Sequence, residues 1–264
     1  MKIERLKNII YFNRKTKERI KQLVRDFSIS NDINIETIDI RNVLRELCAK
    51  QNIKIIEIPI KDNEIGAIFY VYGKQTYILI NSAIPRVNIN FALAHELYHI
   101  LVSDSAEKFS SGDVFIINAY IDNENEKMAN SFAAELLMPE QQIRSTYNFY
   151  SKTNDTFHTI IKLMVYFSTP YMSVLIRLLE LDILHEITIN DYINRSEMEI
   201  RDALEQCDLN TDLLSPSYRD DSAVILAELK REGTRLVENE LLSAYQLRKT
   251  LERVEKLLKE LREN

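Results

Sequence analysis

The stretch Asn90-Phe91-Ala92-Leu93-Ala94-His95-Glu96-Leu97-Tyr98-His99 decides how this chain is read. It holds two of the four histidines in 264 residues, spaced as H-E-x-x-H with Glu96 between them. On an α-helix, positions four apart lie about 40° apart round the axis and one turn along. Two imidazoles so placed point the same way and can share one metal ion. Glu96 stands beside them as a candidate general base. Leu93, Leu97, Ile100 and Leu101 form a stripe on roughly the opposite side, which predicts a helix packed into a core with its histidines facing a cleft. A lone histidine is more often an ordinary core or surface imidazole; the pair with Glu96 outweighs that reading.

A catalytic metal of this type needs a third protein ligand and an open position for water. His99 is followed by Ile-Leu-Val-Ser-Asp-Ser, so the longer motif with a third histidine is absent. A carboxylate on a neighbouring helix is then expected, and Asn123 to Glu135 offers Glu124, Glu126 and Glu135. Glu126 shares a helical face with Ala129, Asn130, Ala133 and Leu137, whereas Glu124 and Glu135 lie about 160–180° away. Small residues on the Glu126 face allow close helix approach, so Glu126 is the chosen ligand. The competing role for Glu126 is a capping box with Asn123 as N-cap. Asn130, one turn on, is placed to accept a hydrogen bond from the non-ligating nitrogen of a bound histidine.

Outward from the motif, the periodicity changes. A helical pattern spans about 35–51 and 86–102, and another runs from about Asn123 to Met138 before Pro139. Residues 53–58, 67–72 and 76–80 are β-branched and aromatic, bounded by Asn63, Gly66, Gly73 and Asn81, and predict a small meander of three strands. Tyr72-Gly73-Lys74-Gln75 is read as a tight hairpin. Asp104 to Asp122 is a long loop with a short strand at Val114–Ile117. Beyond about 140 no strand is expected, only helices broken near Ser168-Thr169-Pro170, Asn190 and Leu214-Ser215-Pro216-Ser217. The fold class is therefore α+β: a small three-stranded sheet packed on the motif helix and the third-ligand helix, with helical extensions at both ends. The divisions are 1–34, a basic helical segment; 35–150, the core; 151–189, a helix-turn-helix-like segment; and 190–264, a C-terminal helical region. In the last helix Ala244, Leu247, Leu251, Val254, Leu258 and Leu261 make an a/d stripe; packing on its own subunit is favoured over a homodimer coiled coil.

Composition bounds the function. Apolar residues are 45% and charged residues 28%, with only 4 Gly and 5 Pro, which excludes a disordered or collagen-like chain. The net charge of −6 gives no general attraction to nucleic acid or anionic membrane. Residues 1–30, however, carry nine Lys/Arg against Glu4, Glu18 and Asp26, so this segment is +6 on a −12 body. A helical face contacting that acidic body is favoured over a basic arm for an acidic partner. Cys48 and Cys207 have neither CxxC spacing nor disulfide density, which fits reduced thiols and a cytoplasmic location. No secretory h-region and no apolar run near 18 residues is present.

At Tyr77–Asn81, Asn90–His99 and Glu126-Lys-Met-Ala-Asn-Ser-Phe-Ala-Ala-Glu-Leu-Leu-Met-Pro139 the chain resembles the ImmA/IrrE family of cytoplasmic zinc metallopeptidases, over about residues 35–185. The resemblance implies a minimal zincin-like core, Zn2+ on His95, His99 and Glu126, and Glu96 as general base. It also implies a regulatory protein as substrate, since several members look like proteases that inactivate helix-turn-helix repressors, often in mobile elements or stress responses. Residues 157–184 have a helix-turn-helix flavour, but the second helix offers only Arg177 as a cation, so DNA reading is not expected.

The expected activity is zinc-dependent hydrolysis of a peptide bond in a cytoplasmic regulator, with Glu96 moving the proton. Tyr98, Tyr120 and His158 are candidate second oxyanion donors. The strand at Thr76–Ile80 is a candidate for pairing with an extended substrate. The rival reading is a non-catalytic metal-binding regulatory protein, sensor- or antitoxin-like, on the same fold; it leaves Glu96 without a purpose.

Overall fold

In a computed structural model, which describes residues 3–35, 40–62, 65–72, 75–103, 114–116 and 124–263, the β-branched stretches form β1 (Ile53–Ile58), β2 (Ala67–Tyr72) and β3 (Gln75–Asn81). A short β4 (Val114–Ile116) completes a four-stranded sheet of order β1-β3-β2-β4. The sheet is not the predicted meander. β2 folds back antiparallel on β3 in the register Tyr72↔Gln75, as the hairpin reading requires, and β1 then runs parallel to β3 on its other side. The turn residues Gly73 and Lys74 lie outside the described residues, as do Asn123 and all of the Asp104–Asp122 loop except β4.

The helices are α1 (Ile3–Ser30), α2 (Ile40–Lys50), α3 (Arg86–Ser103), α4 (Glu124–Leu137), α5 (Glu140–Tyr150), α6 (Thr156–Phe167), α7 (Tyr171–Glu180), the short α8 (Ile189–Tyr192), α9 (Glu197–Gln206), α10 (Ser222–Glu238) and α11 (Ala244–Glu263). The inner sheet face, with Ala67, Phe69, Ile78 and Ile80, packs on Leu93 and Leu97 of α3. The same core takes in Leu6, Ile10, Ile20, Val24 and Phe27 of α1, so the basic N-terminal helix is built into the body. Its cations meet acidic partners: Arg14 reaches Asp182 at 2.8 Å and Glu186 at 3.0 Å, while Lys17 and Lys21 lie 2.9 and 2.7 Å from Glu140.

The outer sheet face is covered from the C-terminal region. Val254 and Leu258 of α11 and Ile225 and Leu226 of α10 pack around Ile58, Ile60 and Leu79. A strap between α9 and α10 holds this hairpin down: Tyr218 N–H donates to Ser82 O (3.0 Å) and Asp221 N–H to Glu57 O (2.8 Å). The Glu57 N–H in turn donates to Asp221 Oδ2 at 2.9 Å, which occupies the outer edge of β1. Helices α6 and α7 meet at 109° across Ser168-Thr169-Pro170, a helix-turn-helix angle. Ser168 takes the left-handed C-cap conformation (φ 44°), and Pro170 opens α7, where its missing N–H is tolerated. Among the described residues no single helix is long and apolar enough to cross a membrane; the bent α6–α7 pair is apolar because it fills the core.

Candidate metal centre

Helix α3 is buried nearly all round, because it runs beneath the sheet and also against α4. Its apolar stripe faces the sheet side, and the 95–99 face meets the first turns of α4. Ala129 and Ala133, both fully buried, let α4 come close enough for Glu126 to reach the two imidazoles. The contacts are tight: His95 Nε2 to Glu126 Oε2 is 3.1 Å, His99 Nε2 to Glu126 Oε1 is 3.3 Å, and the two Nε2 atoms are 3.2 Å apart. One ligand atom from each of the three residues lies within 4.8 Å of the others, the one such group among the described residues.

The donor set fits zinc. Ligands bound at about 2.0–2.1 Å on a tetrahedral ion stand about 3.3 Å from one another, which is the size of this triangle. The protonation states agree with it. The His95 Nδ1–H donates to Asn130 Oδ1 at 2.9 Å, which fixes the tautomer and leaves the Nε2 lone pair facing the centre. Burial above all pulls the His95 pKa down, so the imidazole is neutral, the form that binds metal. Burial on its own raises Glu126, but the His95 and His99 imidazoles beside it outweigh that and bring the carboxyl down to about 2. The centre therefore offers the neutral His95 nitrogen and the Glu126 carboxylate, with His99 Nε2 beside them.

Glu96 stands apart from this set. Its carboxyl is fully buried, and among the described residues neither oxygen has a hydrogen-bond partner. Burial, and then the Glu126 charge, push its pKa well above the carboxylate range. A buried carboxyl without partners costs stability and calls for an explanation in chemistry. The explanation that fits is a water or substrate group next to the centre.

The other sequence candidates are placed elsewhere. Glu124 is exposed, and Glu135 is buried in an ion pair with Arg177, which also pairs with Glu180. Arg177 is thus locked in the interior, and α7 presents no cation to DNA. Tyr98 is built into the core with its ring against Phe132, centroids 5.9 Å apart. Both ring nitrogens of His158 are engaged, by Asp155 at 2.8 Å and Gln206 at 3.0 Å, and Tyr120 lies outside the described residues. Cys48 is buried and its thiol is pushed up to about 11 by that burial, so it is inert as a nucleophile near neutral pH. One neighbour of the centre carries no signal in the sequence: Phe69 of β2 stacks on His99.

A small mixed sheet over an H-E-x-x-H helix, with a carboxylate from the next helix closing a three-ligand group, defines a metallopeptidase with a zincin-like core. The model of the IrrE N-terminal-like domain, peptidase family M78, matches residues 48–179. That is half of the chain, and the protein belongs to this ImmA/IrrE family of zinc metallopeptidases. No curated protein is significantly similar to it in sequence.

Proposed function

We propose that the protein is a zinc-dependent endopeptidase acting on a specific cytoplasmic regulatory protein, such as a helix-turn-helix repressor. The observation that carries the hydrolytic reading is the orphan Glu96 carboxyl beside the His95–His99–Glu126 triangle. A bound zinc supplies Lewis acidity, acidifying a water and polarising the scissile carbonyl. The chain's own residues do the rest. Ionised Glu96 takes the proton as the water oxygen attacks the carbonyl carbon. It then delivers that proton to the amine nitrogen as the C–N bond breaks. Burial and then the Glu126 charge raise its pKa, which makes the ionised carboxylate a stronger base for the first half of that cycle. Asn130 holds His95 in the ligating tautomer.

The extended segment of a substrate does not pair with β3, as the sequence suggested, because β3 is an inner strand between β1 and β2. The two outer strands are β1, which Asp221 engages at Glu57, and β4, and we take the edge of β4, which no described strand pairs on its far side, as the one for strand addition. A flexible hinge in the target fits an edge of this kind better than a folded domain does.

The test is metal analysis with cleavage assays on wild type, Glu96→Gln and His99→Ala, using the regulator encoded beside the gene as substrate. Wild type and Glu96→Gln are expected to hold one zinc each, His99→Ala to lose it, and only wild type to cut. Cleavage by Glu96→Gln at the wild-type rate would remove the general base, and absence of metal from all three would return the protein to the non-catalytic reading.

A further inference from the structure

The two histidines of the centre are held by different means. His95 is fixed by a hydrogen bond at the nitrogen opposite its ligating atom. His99 is fixed between aromatic rings. The Phe69 ring lies nearly parallel to it, with centroids 6.0 Å apart and planes 14° from one another, and the Tyr98 ring stands edge-on at 5.5 Å and 78°. Rotation of an imidazole about its Cβ–Cγ bond is soft, with broad twofold wells, so a ligand histidine needs an outside restraint to aim its nitrogen. Turning the His99 ring out of its plane drives an edge towards Phe69.

The wall that Phe69 provides is rigid. Phe69 is 1% exposed and sits mid-strand in β2, where its backbone is opposite Ile78 of β3 on one side and Phe115 of β4 on the other. Two ladders therefore fix the position of one ring. Tyr98, being next in sequence to His99, moves with the same helix and cannot set an external reference. Phe69, coming from the sheet, does.

We infer that Phe69 is a positioning residue for the metal centre, setting the plane of His99 from the sheet as Asn130 sets that of His95 from α4. The inference rests on the metallopeptidase reading above. Planarity is what matters, so a side chain of similar volume but no ring is the informative change.

Phe69→Met, Phe69→Tyr and a second buried phenylalanine that does not touch the histidines, Phe27→Met, are compared with wild type in two measurements: zinc affinity by chelator competition, and the visible absorption of the Co(II)-loaded protein. Phe27 is a buried aromatic of α1 that packs on Phe132 and serves as a core change of the same kind. Phe69→Met is expected to lose about tenfold in affinity, the lower end of what removal of an outer-layer support costs a metal site, and to shift the Co(II) bands. Phe69→Tyr and Phe27→Met are expected within twofold of wild type with unchanged bands. The inference is overturned if Phe69→Met keeps wild-type affinity and bands, or if Phe27→Met loses as much. Where Phe69→Met does not fold, Phe69→Leu decides: shifted Co(II) bands sustain the inference and the wild-type spectrum overturns it. Failure of wild type itself to bind metal would instead strike the functional reading.

Discussion

Arg177 illustrates at the scale of one residue what a buried charge demands. It lies between Glu135 and Glu180 in the interior, and its Nε–H donates to Met138 O at 3.1 Å. Asn13 of α1 completes the cluster by donating to Glu180 Oε2 at 2.6 Å and accepting from the Ser131 hydroxyl at 2.7 Å. Replacing Arg177 by Met leaves two carboxylates buried without their cation and is expected to cost about 3–5 kcal/mol in denaturant unfolding. Glu135→Gln in the same protein is expected to keep its bound zinc, because Glu135 serves this cluster and not the metal centre; metal analysis checks it. The sequence separated these roles well where one helix carried the information. Spacing groups His95 and His99, and helical phase together with the small residues on the same face prefers Glu126 to Glu135. Phe69 left no such trace, since it meets His99 from a strand 30 residues earlier, and no spacing rule links the two.

At the scale of elements, the antiparallel pair α10 and α11 is held by a close approach at Gly233. A Cβ placed on Gly233 would lie 2.1 Å from Leu247 Cδ1, so an alanine there forces the leucine end to swing aside. Alanine returns about 1 kcal/mol of helix propensity, while overpacking costs about 1–3 kcal/mol. Gly233→Ala is therefore expected to destabilise slightly in wild type and to become neutral or stabilising on a Leu247→Ala background; thermal melts of the four proteins in the cycle measure that coupling. Elements as such were legible: the motif helix, the third-ligand helix and three strands fall within a few residues of their sequence boundaries. Their neighbours were not. Alternating β-branched residues mark Ile53–Ile58 as a strand, but nothing local says that it lies parallel to β3, because the tight hairpin gives one side of β3 to β2 and leaves the other side to a strand from further back. The sequence marks only a helix break at Leu214-Ser215-Pro216-Ser217, and the pairing of the strap that follows it with Ser82 and Glu57 across more than 130 residues has no local signature.

For the whole molecule, the uneven charge noted in the sequence becomes an internal clamp. Burial alone would raise the Glu140 carboxyl, but hydrogen bonds from Lys21, Lys17 and Arg144 outweigh it and hold the group well below its usual range. A carboxyl with a lowered folded pKa contributes stability above its unfolded value near 4.5, and that contribution is lost as pH falls through the folded value. The double change Lys17→Ala/Lys21→Ala is therefore expected to cost about 0.2–1 kcal/mol per pair at pH 7, and the gap from wild type should close as pH falls well below 4.5. Thermal melts of both proteins across pH 2–8 measure it, and added salt should narrow the gap at pH 7. The same contacts also bear on how the chain is made. Asn13 and its partner Glu180 are 167 residues apart, and Arg14 reaches equally late carbonyls and carboxylates. At a synthesis rate of about 5–20 residues per second, roughly ten to thirty seconds separate the two halves of that contact on the ribosome. During that interval α1 is an amphipathic, basic helix with its apolar side uncovered. The nascent chain thus has a window in which the apolar side of α1 waits for the seat that α4 and α7 later form.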